Sequence, residues 1–201
     1  MSLQEHKDIS LERLIFFSDA VFAIAITILS LEIRLPEGAN VKSIFHDLTP
    51  SIIAYIFGFV QIAIFWTVHH TLFKKLINYD FKIVWLNFVF LMVVAFIPVP
   101  VSTIIKLGIN AYTITFMYAC LTLLGIVELC FWQYITSEKK NFTHTSLTKG
   151  DKKIEQRKIL VLIGIFLVGI PLAFLNAYLA VLLSLCIPLI HSIIKIKNKK
   201  R

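Results

Sequence analysis

The chain has 201 residues, of which 58% are hydrophobic and 16% charged, and its mean hydropathy is +0.81. A water-soluble domain carries about 25% charged residues in its polar shell, so this composition excludes a soluble globular protein and predicts an integral membrane protein. Twenty Lys and Arg against twelve Asp and Glu give a net charge of +8 and a pI near 9.4.

A helix must cover about 30 Å of hydrocarbon at 1.5 Å per residue, which takes about 20 mostly apolar residues. On that criterion the sequence predicts an all-α, polytopic single membrane domain over 1–201, with six helices at residues 14–34, 51–73, 83–105, 111–136, 159–175 and 177–194. Residues 1–13 are polar and lack the basic start and small-residue cleavage site of a signal peptide. The first apolar run is therefore expected to stay in the protein.

The first helix carries Ser18-Asp19 inside an otherwise apolar run. At 100° per residue, Phe17, Ala20, Thr27, Ile28 and Leu31 all fall within about 60° of Ile24 and make one face. Ser18, Asp19 and Ser30 lie on the other, where a carboxylate in hydrocarbon must find a donor or water. The second helix ends Trp66-Thr-Val-His69-His70-Thr-Leu-Phe73, and the third begins with Lys82, Trp85 and Asn87. Asp19, His69, His70, Trp85 and Asn87 thus share one depth, and a hydrogen-bonded or ionic network tying helices one to three is expected there. Pro98 and Pro100 are expected to kink the third helix near its far end.

In the fourth helix Glu128 is a second intramembrane acid, expected to snorkel with its carboxylate hydrogen-bonded. Cys120, Cys130 and Cys186 lie in apolar runs and imply no disulfide. Residues 137–158 form a charged loop too short for an independent fold. The stretch 159–194 is too long for one crossing, and Gly169, Pro171 and Asn176 are expected to break it into a short hairpin.

Of the 20 Lys and Arg, 17 fall in the alternate segments before helix one, after helix two, between residues 138 and 158, and after Ile194, leaving Arg34, Lys42 and Lys106 opposite. This positive-inside pattern predicts cytoplasmic N- and C-termini and an even number of spans. Basic residues so placed face anionic headgroups, so the lipid bilayer and not nucleic acid is the expected partner. Adjacent His69 and His70 point about 100° apart and cannot ligate one metal from a regular helix. No nucleophile elbow, phosphate loop or zinc-protease motif occurs, and neither an enzyme, a metal site nor a cofactor is expected.

Beginning at Arg13-x-x-x-Phe17-Ser18-Asp19 and continuing through Ala20-Val-Phe-Ala-Ile-Ala-Ile-Thr27, Trp66-x-x-His69-His70-x-Leu-Phe73 and Trp85-Leu-Asn87, the sequence resembles the transmembrane protein 175 family, the potassium channels of lysosomes and of many prokaryotes. The resemblance implies six-helix subunits assembling as a homotetramer around their first helices, in a multi-pass membrane protein of the prokaryotic cell membrane with potassium ions as permeant species. It places the pore constriction at Ile24, with Ile28 and Leu31 further outward and Thr27 as a selectivity-related hydroxyl. Arg13, Phe17, Ser18, Asp19, Trp66, His69, His70, Trp85 and Asn87 then form a structural network. The sequence has no carbonyl filter motif, so discrimination would come from a hydrophobic ring and dehydration cost. The alternative is a proton-coupled secondary transporter relaying through Asp19, His70 and Glu128.

Overall fold

A computed structural model describes residues 10–34, 44–137, 142–143 and 147–188. Among the described residues seven helices follow in order: α1 (Leu11–Leu31), α2 (Ile44–Phe73), α3 (Phe81–Phe96), α4 (Pro98–Leu107), α5 (Ala111–Ile135), α6 (Lys149–Leu175) and α7 (Ala177–Leu185). Among the described residues the only extended pairing is an isolated bridge between Leu76 and Thr143. Among the described residues five segments are long and apolar enough to cross a membrane: α1, α2, α3 with α4, α5 and α6.

Side-chain caps fix most of the helix starts. Ser10 accepts from the Arg13 N–H at 3.2 Å and Asp80 from the Ile83 N–H at 3.0 Å, each satisfying a donor that the first turn leaves open. Asn110 and Thr113 close a capping box at α5. Between α3 and α4 the helix is interrupted at Ile97, since Pro98 and Pro100 bring no N–H to the ladder. Ile97 keeps helical angles, φ −55° and ψ −34°, so Phe81–Leu107 remains one crossing.

The expected helix at 159–175 is corrected at its start. α6 begins at Lys149, where Thr148 accepts from the Asp151 N–H and the Asp151 carboxylate accepts from the Thr148 N–H. The last ten residues of the expected 137–158 loop are therefore helical. An apolar-window criterion stops at the first charges, whereas a capping box can start a helix well before the hydrocarbon. Nor do Gly169 and Pro171 break the stretch: α6 runs through both, and the break falls at Asn176, whose extended backbone (φ −159°, ψ 108°) ends α6 while its side chain caps α7. α7 covers only the first part of the expected 177–194 helix, and residues 189–194 lie outside the described residues.

α5 is the hub, packing against α3, α4, α6 and α7, while α1 lies on α2, α3 and α4. Because lipid tails are as apolar as the side chains, close packing and hydrogen bonds, more than water exclusion, hold such helices together. Phe22, Phe65, Phe90, Tyr118 and Phe166 fill the interior, and Phe65 stacks on Phe166 with ring centroids 6.1 Å apart. Glycine permits two of the closest approaches: a Cβ at Gly58 would meet Val101 Cγ2 at 2.6 Å, and one at Gly169 would run into the Tyr118 ring.

Candidate functional site

The residues of α1 divide cleanly by environment. Leu14, Ser18, Phe22, Ala25 and Leu29 are buried against the subunit, at the spacing of three and four that keeps one helix face in contact. On the opposite side Ile24 is 58% exposed and Leu31 68%, with Phe17, Ala20, Thr27 and Ile28 exposed beside them. Among the described residues no element of the subunit covers this apolar face. The Thr27 hydroxyl donates to the Ile24 carbonyl at 2.9 Å, a back-bond common for Thr in membrane helices. Its hydrogen is thereby committed while the oxygen keeps lone pairs on an exposed side chain.

Behind this face runs a buried chain of hydrogen bonds contributed by four helices. Ser18 Oγ of α1 donates to the Leu14 carbonyl at 2.8 Å and accepts from Asn87 Nδ2 of α3 at 3.0 Å. Asn87 Oδ1 lies 3.1 Å from His69 Nε2 of α2, and His69 Nδ1 lies 3.1 Å from Glu128 Oε2 of α5. With Nε2 donating to Asn87, one proton between Nδ1 and the carboxyl satisfies both atoms and leaves the pair without net charge. The imidazole stacks on Phe90 at 4.3 Å between centroids and meets Phe73 at 4.6 Å, which closes the chain off in an apolar shell.

Glu128 does not snorkel. Its carboxylate is fully buried, because α5 is the central helix and residue 128 faces its neighbours, and His69 supplies the partner that a charge needs there. Asp19 is bonded elsewhere: Trp66 Nε1 donates to its Oδ1 at 2.8 Å, and the Trp66 ring in turn stacks on His70 at 5.0 Å. Asp19, His70 and Glu128 are therefore not linked in one relay; of the adjacent histidines, His69 turns inward and His70 packs on an indole.

Besides Asp19, Trp66 and His70, three more residues expected in the network stand apart from its buried chain. Arg13 is exposed, and its backbone N–H donates to the Ser10 hydroxyl. Phe17 is half exposed and meets Phe88 edge-on, and Trp85 makes edge contacts with Phe81 and Phe88. Sequence reasoning assigned no role to Glu32, whose Oε2 accepts from the Ser102 hydroxyl at 2.6 Å and ties the end of α1 to α4. The available signal was an acid one turn beyond Ile28, where the apolar face ends. Among the described residues no three His, Cys, Asp or Glu side chains converge as metal ligands would.

Residues 13–98 match the family described as Endosomal/lysosomal potassium channel TMEM175. A potassium channel of Streptomyces collinus is 42% identical over 89 residues, 43% of this chain and 43% of that protein, so the match spans less than half of that relative. A potassium channel of Chamaesiphon minutus is 30% identical over 174 residues, covering 82% of this chain and 85% of the relative. The crystal structure of a lysosomal potassium-selective channel TMEM175 homolog from Chamaesiphon minutus superposes with a TM-score of 0.76 at 24% identity, over 94% of this chain and 97% of that one, a likeness of fold. The densest sequence match thus falls on α1 to α3, where the buried chain and the uncovered face of α1 are built, and the likeness extends across the remaining helices: the chain is a multi-pass membrane protein belonging to the TMEM175 family.

Proposed function

We propose that the protein is one subunit of a homotetrameric potassium channel whose pore is lined by α1. The observation that carries this reading is the apolar face of Ile24, Thr27, Ile28 and Leu31, left uncovered by the described residues of the subunit, while the reverse of the same helix is anchored through Ser18, Asp19 and Glu32. Four such faces around an axis make a narrow apolar ring, which gates by dewetting and supplies no ligands to a stripped ion. Ile24 is the narrowest level, Ile28 and Leu31 lie further out, and Thr27 adds a ring of oxygens beside the constriction. Potassium, the more easily dehydrated of the two common monovalent cations, is the permeant ion. Relatives named potassium channels support this choice. The same reading has six crossings, both termini in the cytoplasm of a prokaryotic cell and the basic segments on that side.

The test is single-channel recording of the purified protein in a planar bilayer with a potassium gradient. Stepwise currents reversing near the potassium equilibrium potential are expected. Smooth flux without unitary steps would instead describe a carrier.

A further inference from the structure

A groove of about 560 Å³ opens between α2 and α6, two helices that meet at the Phe65–Phe166 stack but pack mainly on others: α2 on α1, α4 and α7, and α6 on α5 and α7. Phe59, Ala63, Thr67 and Thr71, four residues apart on α2, form one wall over about 18 Å at 1.5 Å per residue. Both hydroxyls on that wall donate to their own helix, Thr67 to the Ala63 carbonyl at 2.8 Å and Thr71 to the Thr67 carbonyl at 2.7 Å, so the wall is apolar in effect.

The Thr71 end of the groove is charged. Lys158 and Glu155 of α6 line it, and Lys75, one turn beyond Thr71, joins them. Glu155 Oε1 is 3.0 Å from Lys75 Nζ and 3.2 Å from Lys158 Nζ. Each ammonium is partly shielded, with side-chain exposures of 19% and 17%, and Lys75 lies 5.2 Å from the centroid of the Trp132 ring. Among the described residues Glu155 is shared by the two ammoniums and the exposed Asp151 acts on Lys75 as well, so Lys158, at the mouth of an apolar slot, has only a shared carboxylate against its charge.

We propose that this groove is a binding site for a bilayer phospholipid with an acidic headgroup. One acyl chain lies along Phe59, Ala63 and Thr67, and the phosphate meets Lys158, whose carboxylate partner is shared. Three observations favour a lipid. The wall belongs to a segment long and apolar enough to span a membrane, which puts the slot within reach of hydrocarbon. Its positive end complements an anion, the arrangement by which basic pockets between membrane helices take lipid headgroups. The slot is open along its length, so a thin extended hydrocarbon chain can enter it sideways from the bilayer. The site is independent of which ion the protein conducts.

Native mass spectrometry of the detergent-solubilised protein, titrated with phosphatidylglycerol and with phosphatidylcholine of the same acyl chains, tests this. The wild type should retain one phosphatidylglycerol per subunit in preference to phosphatidylcholine. Lys158→Gln should lower that preference about fivefold, the equivalent of about 1 kcal/mol for one basic residue at a membrane surface. Lys153→Gln, exposed and outside the groove, should leave it unchanged. Ala63→Trp should abolish retention of both lipids in a protein whose helix content and oligomeric state match the wild type. Equal retention of the two lipids by the wild type, an undiminished preference in Lys158→Gln, or tight lipid in Ala63→Trp would each overturn the proposal. Loss of the oligomer in Ala63→Trp would overturn it in another way, by making the groove a contact between copies of the chain.

Discussion

Trp66 holds the carboxylate of Asp19 with its indole N–H at 2.8 Å, so the acid of α1 is tied to α2 by a group that donates and never accepts. Such a bond can orient a carboxylate but cannot pass a proton along, which makes Asp19 an anchor of the α1 azimuth. Trp66→Phe keeps a ring over His70 and removes the donor, and should cost about 1.5–3 kcal/mol, the range for a hydrogen bond to a charged group. Asp19→Asn retains an acceptor oxygen and should lose less than Asp19→Ala. Unfolding midpoints in detergent measure this. Equal stability of Asp19→Asn and Asp19→Ala would show that the bond contributes nothing.

The His69–Glu128 pair gives a prediction with the opposite pattern. Glu128→Leu alone leaves an imidazole buried among Phe73, Phe90 and Phe131 with one nitrogen unsatisfied, a loss of about 1–3 kcal/mol. Adding His69→Leu should recover part of that loss, because two apolar groups need no partner. A double-mutant cycle reads the coupling directly, and strictly additive losses would mean that the two residues act separately.

If Ile24 lines the constriction, Ile24→Asn should wet it, raising unitary conductance and weakening the preference for potassium over sodium. Ser30→Ala, on the side of α1 away from Ile24, should change neither. The reverse result would relocate the pore to another face.

Thr27→Val keeps the shape of the side chain and removes its oxygen. Since the Thr27 hydrogen is already given to the Ile24 carbonyl, the change tests the oxygen's lone pairs. A fall of about fivefold in the potassium-to-sodium permeability ratio is expected, as for one net polar contact of about 1 kcal/mol. An unchanged ratio in conducting channels would leave Thr27 a packing residue.

The start of α6 can be checked without any functional assay. Thr148→Ala removes the N-cap, worth about 1 kcal/mol, and amide exchange at residues 149–152 should quicken about fivefold. Wild-type exchange there as rapid as in an unstructured loop would place the helix start later.

Apolar runs and charge placement made the long helices legible, and counting residues from the span ends set Asp19, His69 and Asn87 at one depth. Depth alone could not tell which of two adjacent histidines turns inward, because that depends on the rotation of α2 against α3 and α5. Glu128 was misread for the same reason: an acid in mid-span can end in lipid or in the interior, and only its neighbour across the bundle decides. The α6 start was written in Thr148-x-x-Asp151, a local signal overshadowed by the charges around it. Asp19's partner was the least visible, since an indole in a hydrophobic stretch gives no sign of which carboxylate its N–H will meet.

The buried chain from Ser18 to Glu128 takes one residue from each of α1, α2, α3 and α5, and this dictates an order of assembly. A chain is made from its N-terminus, so α1, α2 and α3 can settle Ser18, Asn87 and one edge of His69 as soon as they meet. The other edge must wait until α5 is threaded beside them. Until Glu128 arrives, the half-finished bundle carries an imidazole nitrogen facing hydrocarbon, an energetic incentive to admit the fifth helix and a reason why a fragment ending before α5 should be a poor substitute for the whole.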